Sequence, residues 1–171
     1  PGGSYFFSLV TEMRRQLLMD GATVDLLRLA FRQVMIKHPF EIDAAVILSD
    51  HLHCIWTLPP GDKDFSTRWR LIKTWFTRHY VLKDNFKPNS ARVRKKQQAI
   101  WQHRFWEHVL RDSRDFEKHV DYIHYNPVKH GFVTRPLDWP YTSFHRYVEQ
   151  GLLPFDWGTD GVDFEREVGR E

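Results

Sequence analysis

"LSDHLHCIWTL", residues 48 to 58, reads as the second arm of a hairpin whose two faces differ in chemistry. Successive side chains of an extended strand alternate, so Leu52, Cys54, Trp56 and Leu58 project to one side and His51 and His53 to the other. The first set is core material. The second sets two imidazoles side by side, about 7 Å apart along the strand, near enough to close on one divalent ion. With ten histidines among 171 residues, an alternating pair also arises readily by chance. On spacing alone it is either a ligand pair or two ordinary histidines.

The stretch just before it, "FEIDAAVIL" (40 to 48), is a second β-rich run, and the tight Ser49-Asp50 turn makes the two an antiparallel hairpin. Upstream, "SYFFSLVT" (4 to 11) predicts a first strand, followed by a loop with Arg14 and Arg15. From Val24 to Lys37, Leu26, Leu27, Leu29, Ala30, Val34 and Met35 recur at a helical period, which Pro39 stops. Downstream, "PPGDKD" (59 to 64) is a loop. Ser66 or Thr67 caps a second helix running through about Val81, with Trp69, Leu71, Ile72, Trp75 and Phe76 as its apolar side. "IWQHRFWEHVL" (100 to 110) predicts a fourth strand. The order β-α-β-β-α-β is the ferredoxin-like pattern, an α+β fold with one antiparallel sheet and two helices on one face. Its other face, where His51 and His53 point, still needs a cover.

The helix that supplies one follows Ser113, an N-cap candidate with Asp115 and Glu117 in the first turns of "RDFEKHVDYIHYNPVKHG" (114 to 131). At about 100° per residue, Val120 and Ile123 fall within about 40° of Phe116 and make the packing stripe. His119, Tyr122 and Asn126 share a flank, Tyr125 points nearly opposite the stripe, and Pro127 is expected to end the regular helix. A phenol with a pKa near 10 is about 0.1% ionised at neutral pH and is a poor nucleophile. It becomes a useful one when a Lewis acid activates the electrophile and the phenol is held in line. Tyr122 as nucleophile and Asn126 as third, oxygen ligand beside His51 and His53 is one reading. Two ordinary polar residues at a helix edge is the other.

Composition bounds the alternatives. Apolar residues make up 42% and aromatic residues 15%, enough for one globular domain with a substantial core. The longest aliphatic run, "AAVIL", is far short of a membrane span, and no membrane partner is expected. The single cysteine, Cys54, excludes an internal disulfide and a Cys-rich zinc site and fits a cytoplasmic location. Net charge is only +3, yet Arg92, Arg94, Lys95 and Lys96 cluster in "KDNFKPNSARVRKKQQ" (83 to 98). That run is either a solvated loop or, with Arg14 and Arg15, a set of phosphate contacts. After Val148 the balance inverts, with Glu149, Asp156, Asp160, Asp163, Glu165, Glu167 and Glu171 against Arg166 and Arg170. This divides the chain into a domain at 1 to 148 and an acidic tail at 149 to 171, expected to be a mobile surface segment or one that folds back over the basic site.

"HLH" after a strand and turn resembles the signature of the HUH single-strand endonucleases. "YIHYNPVKHGFV" (122 to 133), "FWEHVLRD" and "WPYTSFHRYV" closely resemble the REP-associated tyrosine transposases, relatives of the single-tyrosine transposases of insertion sequences, over about Gly3 to Val148. The resemblance implies a domain that cuts and rejoins single-stranded DNA at palindromic-repeat hairpins through a 5′-phosphotyrosine. It makes His51 and His53 metal ligands, Tyr122 the nucleophile, and Asn126 the occupant of a place held by Gln in insertion-sequence relatives. Mg or Mn is the implied ion, and the enzyme is expected as a monomer or homodimer. A hairpin-binding regulator without turnover is the competing class. A histidine-triad hydrolase is disfavoured because Ile55 stands at the next same-face position, and a structural zinc site because Cys54 points away from the pair.

Overall fold

The computed structural model describes residues 2 to 84 and 100 to 162, the stretch from 81 to 84 as backbone alone. Strands span Ser4–Val10 (β1), Glu41–Ile47 (β2), His51–Thr57 (β3) and Trp106–Val109 (β4). Helices span Gly21–Met35 (α1), Phe65–Asp84 (α2), Ser113–Lys129 (α3) and Phe144–Glu149 (α4). The sheet order is β2-β3-β1-β4 with every pairing antiparallel. This is the predicted ferredoxin-like arrangement, in which β3 splits the β1-α1-β2 unit.

Alternation along β3 sorts the core into two layers. Leu52, Cys54 and Trp56 join Tyr5, Phe7 and Leu9 of β1 under Leu27, Ala30, Phe31 and Val34 of α1 and Trp69, Ile72 and Phe76 of α2. The indoles of Trp56 and Trp69 stack there at 4.1 Å between centroids. On the opposite face Phe6, Val46 and Ile55 meet Val120, Tyr122 and Ile123 of α3. The sheet is therefore covered on both sides, and every residue of β3 except Thr57 is buried. Each fully buried aliphatic side chain of this second layer contributes about 1.5–3 kcal/mol, enough to hold α3 against the sheet.

Several boundaries differ from expectation for identifiable reasons. Helix α1 begins at Gly21 because Asp20 caps it, its Oδ1 accepting from the Thr23 N–H at 2.9 Å. Asp64, not Ser66 or Thr67, accepts from a first-turn amide of α2, the Thr67 N–H at 3.0 Å. Likewise Asp112, not Ser113, caps α3. In each case a carboxylate one position or more upstream reaches the free amides first. The fourth strand is four residues, Trp106–Val109, and not the run from 100 to 110. Upstream of it only Trp101 makes an isolated bridge, to Thr11. Ile100 and the aromatic residues Trp101 and Phe105 of that run serve the first core layer from irregular backbone. Pro127 does not end α3, which continues to Lys129. A proline removes only its own N–H, and the turn beyond closes through the His130 N–H to Asn126 O and the Phe132 N–H to Pro127 O, both at 3.0 Å.

The open edge of β2 is blocked by residues 139 to 143. Ile47 N–H donates to Tyr141 O at 2.8 Å, Ser143 N–H to Ala45 O at 2.8 Å, and Ala45 N–H to Ser143 Oγ at 2.9 Å. An edge so paired cannot template another strand. Beyond α4, residues up to 162 turn back onto the outer side of α3. The Trp157 ring lies 5.8 Å from Phe144, 6.4 Å from Tyr125 and 6.5 Å from His124. The first part of the acidic segment is thus packed, with Tyr125 half-buried beneath it. No described helix is long and apolar enough to cross a membrane.

Candidate active site

The histidine pair and the late helix meet. His51, His53, Tyr122 and Asn126 are all buried between the sheet and α3, none more than 2% exposed. The rings of His51 and His53 are 5.0 Å apart between centroids, and those of His53 and Tyr122 are 5.3 Å apart. Phe6 of β1 stacks on His53 at 5.5 Å and meets Tyr122 edge-on at 6.1 Å, so one phenyl ring packs against both.

Neighbours fix each imidazole. His51 Nδ1 lies 2.5 Å from Asp50 Oδ1. Because a carboxylate can only accept, this nitrogen carries the proton, and the lone pair of the neutral ring sits on Nε2. His53 Nδ1 lies 2.6 Å from the Ser8 hydroxyl of β1. The register places Ser8 directly opposite His53 and on the same face. The Nε2 atoms of both rings are buried. Asn126, one turn beyond Tyr122, is fully buried, and neither its Oδ1 nor its Nδ2 finds a hydrogen-bond partner among the described residues. An amide so placed costs about 1–3 kcal/mol for each unmet group, an arrangement that a ligand would relieve.

Asp50 also connects this cluster to the first basic residues. Its Oδ2 pairs with Arg14 at 3.2 Å. Arg14 belongs to a strained loop in which Met13 and Arg14 take φ values of 58° and 49°. The loop is pinned by the Thr11 N–H to Asp50 O at 2.8 Å and the Leu18 N–H to Ser49 O at 2.9 Å, contacts that tie it to the β2–β3 turn. Arg15 is half-buried, its Nε donating to Glu12 O at 3.3 Å. Arg92, Arg94, Lys95 and Lys96 lie outside the described residues.

Two neighbours were not anticipated from the sequence. Lys129 Nζ donates to the Tyr122 hydroxyl at 3.1 Å and sits 4.7 Å from the centre of its ring. His130 brings its ring to 5.1 Å from that of His51. Seven residues make nearly two helical turns, so Lys129 falls on the Tyr122 side of α3. That spacing was a usable signal. The two histidines within α3, His119 and His124, face other groups. His124 Nε2 is 2.9 Å from Ser143 Oγ, and burial pushes this imidazole down to about 3, so it is neutral at pH 7. His119 Nδ1 lies 2.8 Å from Asp115 O, its ring packed 4.7 Å from Phe6.

No family model matches the chain. Relatives do. The REP-associated tyrosine transposase of Escherichia coli K12 is 47% identical over 163 residues, covering 95% of this chain and 89% of the relative. A relative from Haemophilus influenzae is 43% identical over 157 residues, covering 92% and 88%. A solved structure of a REP-associated tyrosine transposase bound to a REP hairpin superposes with a TM-score of 0.78 at 45% identity, covering 98% of this chain and 94% of that one. Identity this high along nearly the full length, on the same ferredoxin-like frame, establishes that the chain belongs to the REP-associated tyrosine transposases.

Proposed function

We propose that the protein is a divalent-metal-dependent transposase that cuts and rejoins single-stranded DNA beside palindromic-repeat hairpins, with Tyr122 as nucleophile. The observation that carries this reading is the buried meeting of the His53 and Tyr122 rings, 5.3 Å apart between centroids, with a buried Asn126 amide one helical turn on from Tyr122 whose polar atoms are both unmet among the described residues. The relative whose structure was solved with a REP hairpin supports the substrate class.

The donor set fits a divalent cation of the Mg or Mn kind, with His51, His53 and Asn126 as the residues that would hold it. The amide oxygen suits such an ion, the two imidazoles favour its transition-metal member, Mn, and the Asp50 and Ser8 contacts at Nδ1 are the outer partners that orient ligating histidines. When bound, the ion supplies Lewis-acid polarisation of a phosphate oxygen. The chain's own residues do the rest. The phenol oxygen of Tyr122 releases its proton to solvent and bonds to phosphorus as the bond from phosphorus to the 3′ oxygen breaks, giving a 5′-phosphotyrosine and a 3′ alkoxide that takes a proton from solvent to become a free 3′-hydroxyl. A 3′-hydroxyl attacking the same phosphorus reverses the step and rejoins strands without ATP, because the intermediate keeps the phosphodiester energy. Lys129 orients the phenol through its hydrogen bond. Lys129 and His130 are the exposed residues flanking the buried cluster, and a phosphate approaches past them. Arg14 and Arg15, with Arg92, Arg94, Lys95 and Lys96, bind the backbone of the DNA.

The test is cleavage of a single-stranded oligonucleotide carrying a palindromic hairpin and its flanks, resolved on a denaturing gel. Cleavage is expected with Mn or Mg, and is expected to vanish with a chelator and in His51→Ala/His53→Ala. Cleavage by that double variant at the native rate would refute the assignment of the pair.

A further inference from the structure

A second constellation of ligand-type side chains, sharing no residue with the histidine pair, stands where β4 meets the start of α3. His108 of β4 sits across the ladder from Phe6 and faces the same layer. Asp115 and His119 are four residues apart in the first turns of α3 and so share one helical face. One ligand atom from each of the three lies within 4.8 Å of the others. His108 Nε2 is 2.9 Å from Asp115 Oδ2, and His119 Nδ1 is 3.2 Å from Asp115 Oδ1.

Because a carboxylate only accepts, His108 Nε2 carries the proton of its bond to Asp115 and would shed it to solvent on binding an ion, whereas His119 leaves a nitrogen over. His119 is 4% exposed, and its Nε2 is buried with no hydrogen-bond partner among the described residues. Its Nδ1, 2.8 Å from Asp115 O, is the donor, which leaves the lone pair on the nitrogen without a partner. A buried imidazole that donates one nitrogen to a carbonyl and presents the other bare has the form of a metal ligand. The protonation states agree with that role. Burial opposes ionisation of Asp115, but hydrogen bonds from His108 and from the Arg111 N–H outweigh it and hold the carboxyl below its usual range. Burial holds His119 below the usual imidazole range, so its ring is neutral.

We infer that His108, Asp115 and His119 form a binding site for a borderline divalent cation of the zinc class, distinct from the site of His51, His53 and Asn126. Two imidazoles and one carboxylate are a zinc donor set, with a fourth position for water. The cation would clip β4 to the first turns of α3. His119 is three residues before Tyr122, so the clip fixes the register of the helix that carries the phenol.

The probe is cobalt(II), followed by its visible absorption in the full chain. In His51→Ala/His53→Ala, which removes the other site, one equivalent is expected to bind with the intense bands of four-coordinate cobalt, and adding His108→Ala is expected to abolish them. Zinc at a hundredfold excess over its Kd should raise the Tm of the double variant by about 5 to 10 °C and leave the triple variant unmoved. Should the double variant fail to fold, His108→Ala alone in the otherwise native chain is expected to lower zinc stoichiometry by one equivalent. A folded double variant that binds no cobalt, or a stoichiometry unchanged by His108→Ala, overturns the inference and leaves the cluster a hydrogen-bonded contact.

Discussion

His53 takes its orientation from Ser8, a residue 45 positions earlier in the chain, through a contact of 2.6 Å. The alternation of the HLH stretch made it legible that the two imidazoles share a face and that Leu52, Cys54 and Trp56 oppose them. It did not disclose Ser8, because which residue stands opposite His53 depends on strand register, and register is set by the packing of both layers at once. Asp50 is different. It adjoins His51 in sequence, yet only the geometry of the turn shows that its carboxylate reaches Nδ1. If these contacts orient the pair for a metal, Ser8→Ala should weaken Mn binding about ten- to a hundredfold. Titration calorimetry on a variant with an unchanged circular dichroism spectrum checks this, and an unaltered Kd would remove Ser8 from the site.

Helix α3 is the element on which the account turns, and its sequence stated its role more clearly than its ends. Val120 and Ile123 pack on the sheet as the period predicts, and Tyr122 on their flank lies in the same buried layer. The end at Lys129 was hidden because proline's lost hydrogen bond and the crowding of the carbonyl four residues back fall here in the last turn, where the helix has little left to lose. The fourth strand was overestimated for a related reason: aromatic density marks burial, and burial can be met by irregular backbone such as residues 100 to 105. Asp112 caps the helix through the Asp115 N–H at 2.9 Å. Asp112→Ala should therefore cost about 1 kcal/mol, lowering Tm by about 2 to 4 °C in a thermal melt. A change below half a degree would mean that packing alone sets the start of α3.

For the whole molecule, 25 basic against 22 acidic residues leave a formal charge of +3, too small to bind DNA without local concentration. Arg14 is held beside His51 through Asp50, Arg15 belongs to the same pinned loop, and the predicted cluster at 92 to 96 lies outside the described residues. The acidic segment was read from charge, and charge concealed the packing of its described part, up to residue 162, where Trp157 lies against Phe144 and Tyr125. With six phosphate contacts from the named residues, the logarithm of the binding constant for a hairpin oligonucleotide should fall against the logarithm of salt concentration with a slope of about 4 to 5. Fluorescence anisotropy between low and moderate salt measures that slope, and a flat response would exclude these residues as the DNA-binding surface.

The role of Tyr122 is tested most directly by mass spectrometry of the protein–DNA adduct. After incubation with the hairpin oligonucleotide and Mn, nuclease trimming and proteolysis, a nucleotide should be found on the peptide bearing Tyr122 and attached to that residue, with none formed by Tyr122→Phe. A covalent nucleotide on Tyr125 or any other residue, or an adduct that persists in Tyr122→Phe, would contradict the account.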